Sequence, residues 1–433
     1  MYRHDPYVVL TREAAHKIAT ASSPGAELTL RHAPSEEMYV VDTVETVKGV
    51  RARVDISRAY EALKWGDRTH QGQWMRQPEP NLHAFHLTML RRPGTSVPFE
   101  RFREMVPGVD DPGTSLGLLI SHDPDLAPEI REQGGCEFAG WLIQRSGVRP
   151  LHLEVEPDTI GLEQLAGKWP IEELAGRSVM VVGVGSIGGA AAESLAGYGI
   201  GRLELVDHDR FLWHNMVRHV LGAESVGRFK VDAMRTHLQA RWPHLDAKAH
   251  RLNVVEDADD MRSLVPTVDL VLCTADGIAP RRVVSHLARQ AKTPAVLACV
   301  LDQGAVGEVL RLRPTPRFGC LLCQRADLTA SGAMDAEADQ ELAYGTGQIH
   351  QPMTAVAPDL HLIGQLAAKS AVATILESLH GDHTQRLPGE HALIGLRPAG
   401  DLAPPYDLAR AGEVRWASIP KPRAICYTCG SSQ

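Results

Sequence analysis

A glycine turn set between two apolar strands constrains this chain more than any other stretch. Residues 178–209 read SVMVVGVGSIGGAAAESLAGYGIGRLELVDHD. The run SVMVV suits a buried parallel strand. Gly183, Gly185 and Gly188 follow in the pattern GxGxxG, and the alanine-rich segment Gly189–Tyr198 reads as a helix. Arg202–Val206 reads as a second strand and runs into Asp207, 19 residues after Gly188. Strand, glycine turn, helix, strand, acid is the order a nucleotide-binding βαβ unit requires. Glycines let the backbone approach phosphate, and the helix N-terminus offers unpaired N–H groups to the anion. A carboxylate at Asp207 is placed to take the ribose hydroxyls. The plain alternative is a tight turn in a glycine-rich core, and the flanking strands and acid argue against it.

The remaining bounds come from length, charge and cysteine. At 433 residues the chain is long enough for two or three domains. A net charge of -8 gives no field favouring nucleic acid or an anionic membrane. The longest uncharged apolar run, Ser178–Ala192, is too short and too glycine-rich to span a bilayer. The opening MYRHDPYVVL has no cleavable signal pattern, so a soluble, cytoplasmic protein is expected. Seven cysteines, two pairs of them CxxC, point to a reducing compartment and a metal rather than a disulfide framework. Cys320, Cys323, Cys426 and Cys429 would give four thiolates, which suit a closed, structural Zn²⁺ site. The redox alternative lacks any thioredoxin-like surroundings. Cys273 and Cys299 lie in apolar strands and read as core residues. Cys136, in QGGCEF, is either a loop nucleophile or an ordinary cysteine; no base partner is visible.

Residues 1–160 form an N-terminal α+β domain of their own. Tyr7–Ser22 reads as strand and helix, and Glu27–Arg31, Tyr39–Val47, Val50–Ile56, Ser115–Ser121, Phe138–Gln144 and Leu151–Val155 read as strands. Pro93–Pro98 and Val109–Thr114 are loops. His83 and His86 stand three apart, as ligands on a helix face would, but a packed or surface pair is the favoured reading.

Beyond Asp207 the residues Asp209, Asn215, Arg218 and Lys230 fall at intervals through a loop and a helix start. A dehydrogenase needs no such set. An enzyme handling ATP does, with cations against phosphate charge and an amide or carboxylate to orient it. Val268–Thr274 is another buried strand, and the position just past its end, Asp276, suits Mg²⁺ coordination. A helix at Pro280–Gln290 carries Arg281 in its first turn, and Pro294–Cys299 and Gly307–Leu312 extend the sheet. The expected architecture is α/β, a Rossmann-like domain with a mostly parallel sheet, a structural zinc site and an added N-terminal α+β domain.

From about 165 to 433 the chain resembles the ThiF/MoeB/MccB superfamily of adenylating enzymes, the fold at the heart of ubiquitin-activating enzymes. The family's D-x-D-x-V-x-x-S-N-L-x-R-Q is met by DHDRFLWHNMVRH, with Asp207, Asp209, Asn215 and Arg218 in register. His214 replaces the serine and His219 the glutamine. Gly227 and Lys230 match its glycine-to-lysine step, and Asp276 and Arg281 match D-N-x-x-x-R with Gly277 for asparagine. The resemblance implies that Gly183, Gly185 and Gly188 cradle ATP, Asp207 binds ribose, Asp209, Asn215, Arg218 and Lys230 serve the phosphates, Asp276 holds Mg²⁺, and Arg281 gives support nearby. It ranks Asp276, Arg218 and Lys230 as catalytic and the four CxxC cysteines as zinc ligands. It makes residues 325–353 a crossover loop. Many members carry a thioester cysteine there, and this chain has none. That departure argues for adenylation alone, or for a nucleophile from elsewhere such as Cys136.

The implied reaction is ATP-dependent adenylation of the C-terminal carboxylate of a small ubiquitin-like or sulfur-carrier protein ending in glycine, in a bacterial ubiquitin-like conjugation pathway. A homodimer is implied, with the apolar helix Pro358–Leu379 at its interface or simply in the core. The N-terminal domain loosely resembles the JAB/MPN isopeptidase fold without its zinc signature, which implies a degenerate, metal-free binding version. Alternatives are adenylation of a peptide as in the MccB branch, an NAD-dependent oxidoreductase, and a non-catalytic scaffold of the same fold.

Overall fold

The computed structural model describes residues 6–47, 49–54, 63–76, 81–113, 116–157, 162–333, 335–336, 355–381 and 387–430. The chain divides into two compact units, Met1–Asp158 and Thr159–Gln433.

The first unit runs β1 (Tyr7–Leu10), α1 (Arg12–Thr20), β2 (Gly25–Ala33), β3 (Met38–Val47), β4 (Val50–Arg53), β5 (Thr69–Arg76), α2 (Leu82–Leu90), α3 (Phe99–Met105), β6 (Gly117–His122), α4 (Pro128–Glu132), β7 (Phe138–Gln144) and β8 (Gly147–Val155). Its eight strands lie in the order β1-β8-β7-β6-β5-β2-β3-β4. β1 also pairs in parallel with β3, Val8 opposite Tyr39, so seven strands close into a ring and β4 hangs from its side. One apolar cluster gathers Leu10, Ile18, Leu30, Val41 and Trp74, and another Phe102, Leu119 and Trp141.

His83 and His86 sit on α2 as packed histidines. His83 Nδ1 meets the Cys136 carbonyl at 2.9 Å and its Nε2 meets Ser121 Oγ at 3.0 Å. His86 Nε2 bonds the Gly140 carbonyl at 2.9 Å, and its burial drives its pKa down to about 4. Among the described residues no group of metal-ligating side chains includes either histidine.

The second unit runs α5 (Ile171–Ala175), β9 (Ser178–Val182), α6 (Ser186–Tyr198), β10 (Arg202–Val206), α7 (Trp213–Met216), α8 (Lys230–Arg241), β11 (Asp246–His250), α9 (Ala258–Leu264), β12 (Leu270–Cys273), α10 (Ile278–Ala291), β13 (Ala295–Leu301), β14 (Val306–Leu312), α11 (Leu321–Ala330), α12 (Ala357–His380), β15 (His391–Gly395) and β16 (Val414–Ala417). Its strands lie β11-β10-β9-β12-β13-β14-β15-β16. The pairings from β11 to β13 are parallel and those from β13 to β16 antiparallel. β9 and β12 are buried at every residue, as strands covered on both faces must be.

Strand order reverses between β9 and β12, where the connections leave toward opposite edges of the sheet and open a crevice beyond the strand ends. α12 packs on α6. A Cβ on Gly364 would lie 2.4 Å from the Ile187 carbonyl oxygen, so the two backbones touch. By length and composition α12 could cross a membrane, but it is the core helix of this unit, with Ile363, Ala367, Ala371 and Ile375 all buried.

One expectation shifts, and some strands had no reading at all. The reading of a loop from Arg325 begins too early, because α11 carries helix through Ala330; residues 334 and 337–354 lie outside the described residues. β5, β11, β15 and β16 were not foreseen. β11, for instance, is DAKAH, too polar and short to register as a strand until β10 pairs with it.

Candidate functional site

A cavity of about 580 Å³ opens where β9 and β12 end. Its lining includes Gly183, Gly185, Asp207, Asp209, Asn215, Arg218, Lys230 and Asp276. The glycine turn forms one wall. Gly183 takes φ +84°, and a Cβ there would sit 2.5 Å from the Ala275 nitrogen. Gly188 does not line the cavity. Its missing Cβ would fall 1.9 Å from the Gly183 carbonyl oxygen, so its work is to let α6 close onto the turn rather than to meet a ligand. At Gly185 the same position is open space.

Asp207, at the tip of β10, ties its own surroundings together. Oδ2 accepts the Val184 N–H and Oδ1 the Asp209 N–H, both at 2.8 Å. Lys230 begins α8, is 9% exposed, and reaches Asp209 Oδ2 at 2.8 Å. Burial works to discharge its ammonium, but Asp207, Asp209 and Asp276 together outweigh that and raise its pKa. The site therefore keeps a firm positive charge. Asn215 on α7 accepts the Leu212 N–H through Oδ1 at 2.8 Å, which leaves its amide nitrogen as the donor end.

Asp276 is open to the cavity and otherwise surrounded by protein. That crowding raises its pKa, with Arg218 and Lys230 pulling the other way and Asp207 and Asp209 adding to the rise. Among the described residues no hydrogen bond reaches its carboxylate. A hard oxygen donor left open to the cavity fits a divalent ion that draws its other ligands from water and a bound polyphosphate, whose charge Arg218 and Lys230 would offset.

Arg281 is elsewhere. It is 1% exposed, absent from the cavity wall, and pairs with Glu308 at 2.9 Å. Grouped with the cofactor-binding residues as nearby support, it does not line the cavity: in the first turn of α10 it points into the core. His219, which replaces the family's glutamine, is a buried strut. Its Nε2 bonds the Val184 carbonyl at 2.9 Å and its Nδ1 accepts the Leu221 N–H at 3.1 Å. Burial lowers its pKa to about 4.

The sequence did not single out the lining residues Leu252, Asn253 and Val254, which follow β11. An unrecognised strand hid the loop after it. Leu360 and Ala355 at the start of α12 also line the cavity. The apolar spacing of the helix that carries Leu360 had signalled a core or a dimer interface, not a cavity wall.

The four CxxC cysteines converge. Their sulfurs all lie within 4.8 Å of one another, with Cys320 to Cys426 at 3.4 Å and Cys320 to Cys323 at 3.9 Å. A zinc–sulfur tetrahedron with bonds of about 2.3 Å has edges of about 3.8 Å, so the set fits a tetrahedral metal. The C-terminal segment is fastened around it by the Gly319 N–H to the Pro420 carbonyl, 2.7 Å, and by the Arg423 N–H to Cys323 Sγ, 3.4 Å.

Known proteins resemble this chain. The molybdopterin-synthase adenylyltransferase of Salmonella typhimurium is 33% identical over 152 residues, 35% of this chain and 60% of the relative. The adenylyltransferase and sulfurtransferase MOCS3 of Aedes aegypti is 30% identical over 145 residues, 33% of each chain. The crystal structure of E. coli MccB with ATP aligns at 20% identity and a TM-score of 0.44, over 60% of this chain and 68% of that one. The chain thus matches a third to three-fifths of the length of these curated relatives. The model of the ThiF family matches residues 159–392. That match takes in the whole parallel sheet and both walls of the crevice, and the chain belongs to the ThiF family.

Proposed function

We propose that the chain adenylates the C-terminal carboxylate of a small ubiquitin-like or sulfur-carrier protein. The observation that carries the reading is the gathering of Lys230, Arg218, Asn215 and Asp276 around one glycine-walled cavity. A nicotinamide site has no use for that many phosphate-directed groups. The relatives' names, which describe adenylyltransferases, point the same way.

The carboxylate oxygen attacks the α-phosphorus of ATP, the bond to the β-phosphate oxygen breaks, and pyrophosphate leaves with the electron pair. No proton need move and no protein nucleophile takes part, so catalysis is positioning and charge stabilisation. Gly183 and Gly185 admit the phosphates, Asp207 takes the ribose, and Lys230 and Arg218 offset phosphate charge. Asn215 orients an oxygen through its amide nitrogen. Mg²⁺ held by Asp276 would supply further charge neutralisation. Zn²⁺ in the four-cysteine site would be structural, since four sulfurs leave no open position.

A protein partner is supported by exposed apolar side chains that neighbour cavity-lining residues in sequence. Trp213 is 67% exposed, Val217 59% and Leu362 44%, and His361 Nε2 bonds the Arg218 carbonyl at 3.0 Å to hold α12 beside α7. The same surface suits a second copy in a homodimer. Absence of any cysteine from 325–353 favours an adenylate passed on without a thioester there. The test is exchange of labelled pyrophosphate into ATP in the presence of a glycine-terminated carrier. Exchange that needs the carrier supports the reading; exchange supported equally by a carrier lacking its last glycine contradicts it.

A further inference from the structure

All seven residues of β14 are buried, yet its third residue is Glu308, fully shielded from water. Its carboxylate accepts from Arg281 Nη2 at 2.9 Å, from Arg325 Nη1 at 2.7 Å and also Nη2, and from His391 Nε2 at 2.9 Å. Tyr406 Oη stands 3.4 Å away and Cys299 Sγ 3.8 Å. Gln324 Nε2 lies 3.1 Å from His391 Nδ1 and holds that ring with its Nε2 toward Glu308. Burial pushes the Cys299 thiol up to about 12 and Cys273 to about 11, so neither contributes a negative charge. Burial alone would also raise the Glu308 carboxyl, but Arg325 and His391 hold it well below the usual carboxylate range. One carboxylate therefore serves two guanidiniums in the core.

A buried ion cluster is weak grounds for stability, because desolvation cancels much of the attraction and an aliphatic side chain packs there as well. What this cluster does is fix elements against one another. Arg281 lies in the first turn of α10, five residues after Asp276. Arg325 lies on α11, whose N-cap is the thiol ligand Cys320. Among the described residues no hydrogen bond holds the Asp276 carboxylate, and its backbone sits in a turn where Gly277 adopts φ +92° and α10 begins.

We propose that Glu308 is a positioning residue for the nucleotide cavity. Through Arg281 it fixes the start of α10 and so the Asp276 turn, and through Arg325 it locks that turn to the helix bearing Cys320 and Cys323. The inference rests on the adenylation reading, in which Asp276 holds magnesium.

The test is calorimetric titration of ATP, with and without magnesium, into the full chain and into Glu308→Gln and Arg281→Met. In both variants affinity in magnesium should fall about ten- to a hundredfold, the usual cost of loosening a support behind a metal ligand. Affinity without magnesium should stay at the unmutated value, as should zinc content. Arg281→Lys keeps the charge and loses the planar fork, so it should fall between, and it decides the matter if the other two do not fold. Unchanged magnesium dependence in a folded variant overturns the proposal, as does an equal loss with and without magnesium, which marks general damage. If the unmutated chain binds no ATP, the adenylation reading itself fails and the proposal goes with it.

Discussion

Lys230 and Asp276 are chemically unalike, but in each the outcome is a balance of burial against the charges nearby: carboxylates win at Lys230, burial wins at Asp276. Lys230 is kept cationic by three carboxylates although it is nearly buried, and Asp276 is pushed toward neutrality by its surroundings. Replacing Asp276 with Asn should therefore lower pyrophosphate exchange by about a hundredfold or more while circular dichroism stays unchanged, since only an electrostatic contact is lost. His219 gives a different signature. Its partners are backbone groups, and Lys230, His361 and His237 add positive charge around it, so the ring stays neutral when folded. Its pKa falls from 6.5 to about 4 on folding. Below pH 6.5 the unfolded chain binds the proton first, so stability is intact above 6.5 and lost as pH falls toward 4. The loss is at most roughly 3 kcal/mol. Urea midpoints against pH should show this slope for the unmutated chain and a flatter one for His219→Gln.

At the scale of elements, the glycine turn separates two duties that its pattern alone cannot. Gly188→Ala drives a Cβ into the Gly183 carbonyl, a backbone that cannot yield, and should cost about 2 kcal/mol or more in a urea titration. Gly185→Ala meets nothing, so its unfolding midpoint should hold while ATP affinity drops. The turn, its two strands and Asp207 were legible in the residues because period, glycine spacing and acid all agree. Asn215, Arg218 and Lys230 were legible through register with a known motif. Arg281 was placed by that same register and its direction was not, because which way the first turn of α10 faces is decided by Glu308, a charge in a strand that reads as apolar. The four cysteines were legible as pairs, and their meeting needed the fold. Stripping metal from that site should free residues 420–430 to protease while the parallel sheet survives, as mass spectrometry of the fragments would reveal.

For the molecule as a whole, both units build their own cores, and the ring of strands in the first was readable only as a series of strands. β1 closes that ring by pairing on both edges, a choice no local pattern encodes. The second unit holds everything the adenylation account uses. Its central claim is that the crevice between β9 and β12 is a triphosphate site. Isothermal titration of ATP with magnesium, beside a matched titration of NAD, tests this most directly. The account predicts saturable ATP binding that Lys230→Ala weakens and no heat from NAD; NAD binding with ATP silent would contradict it.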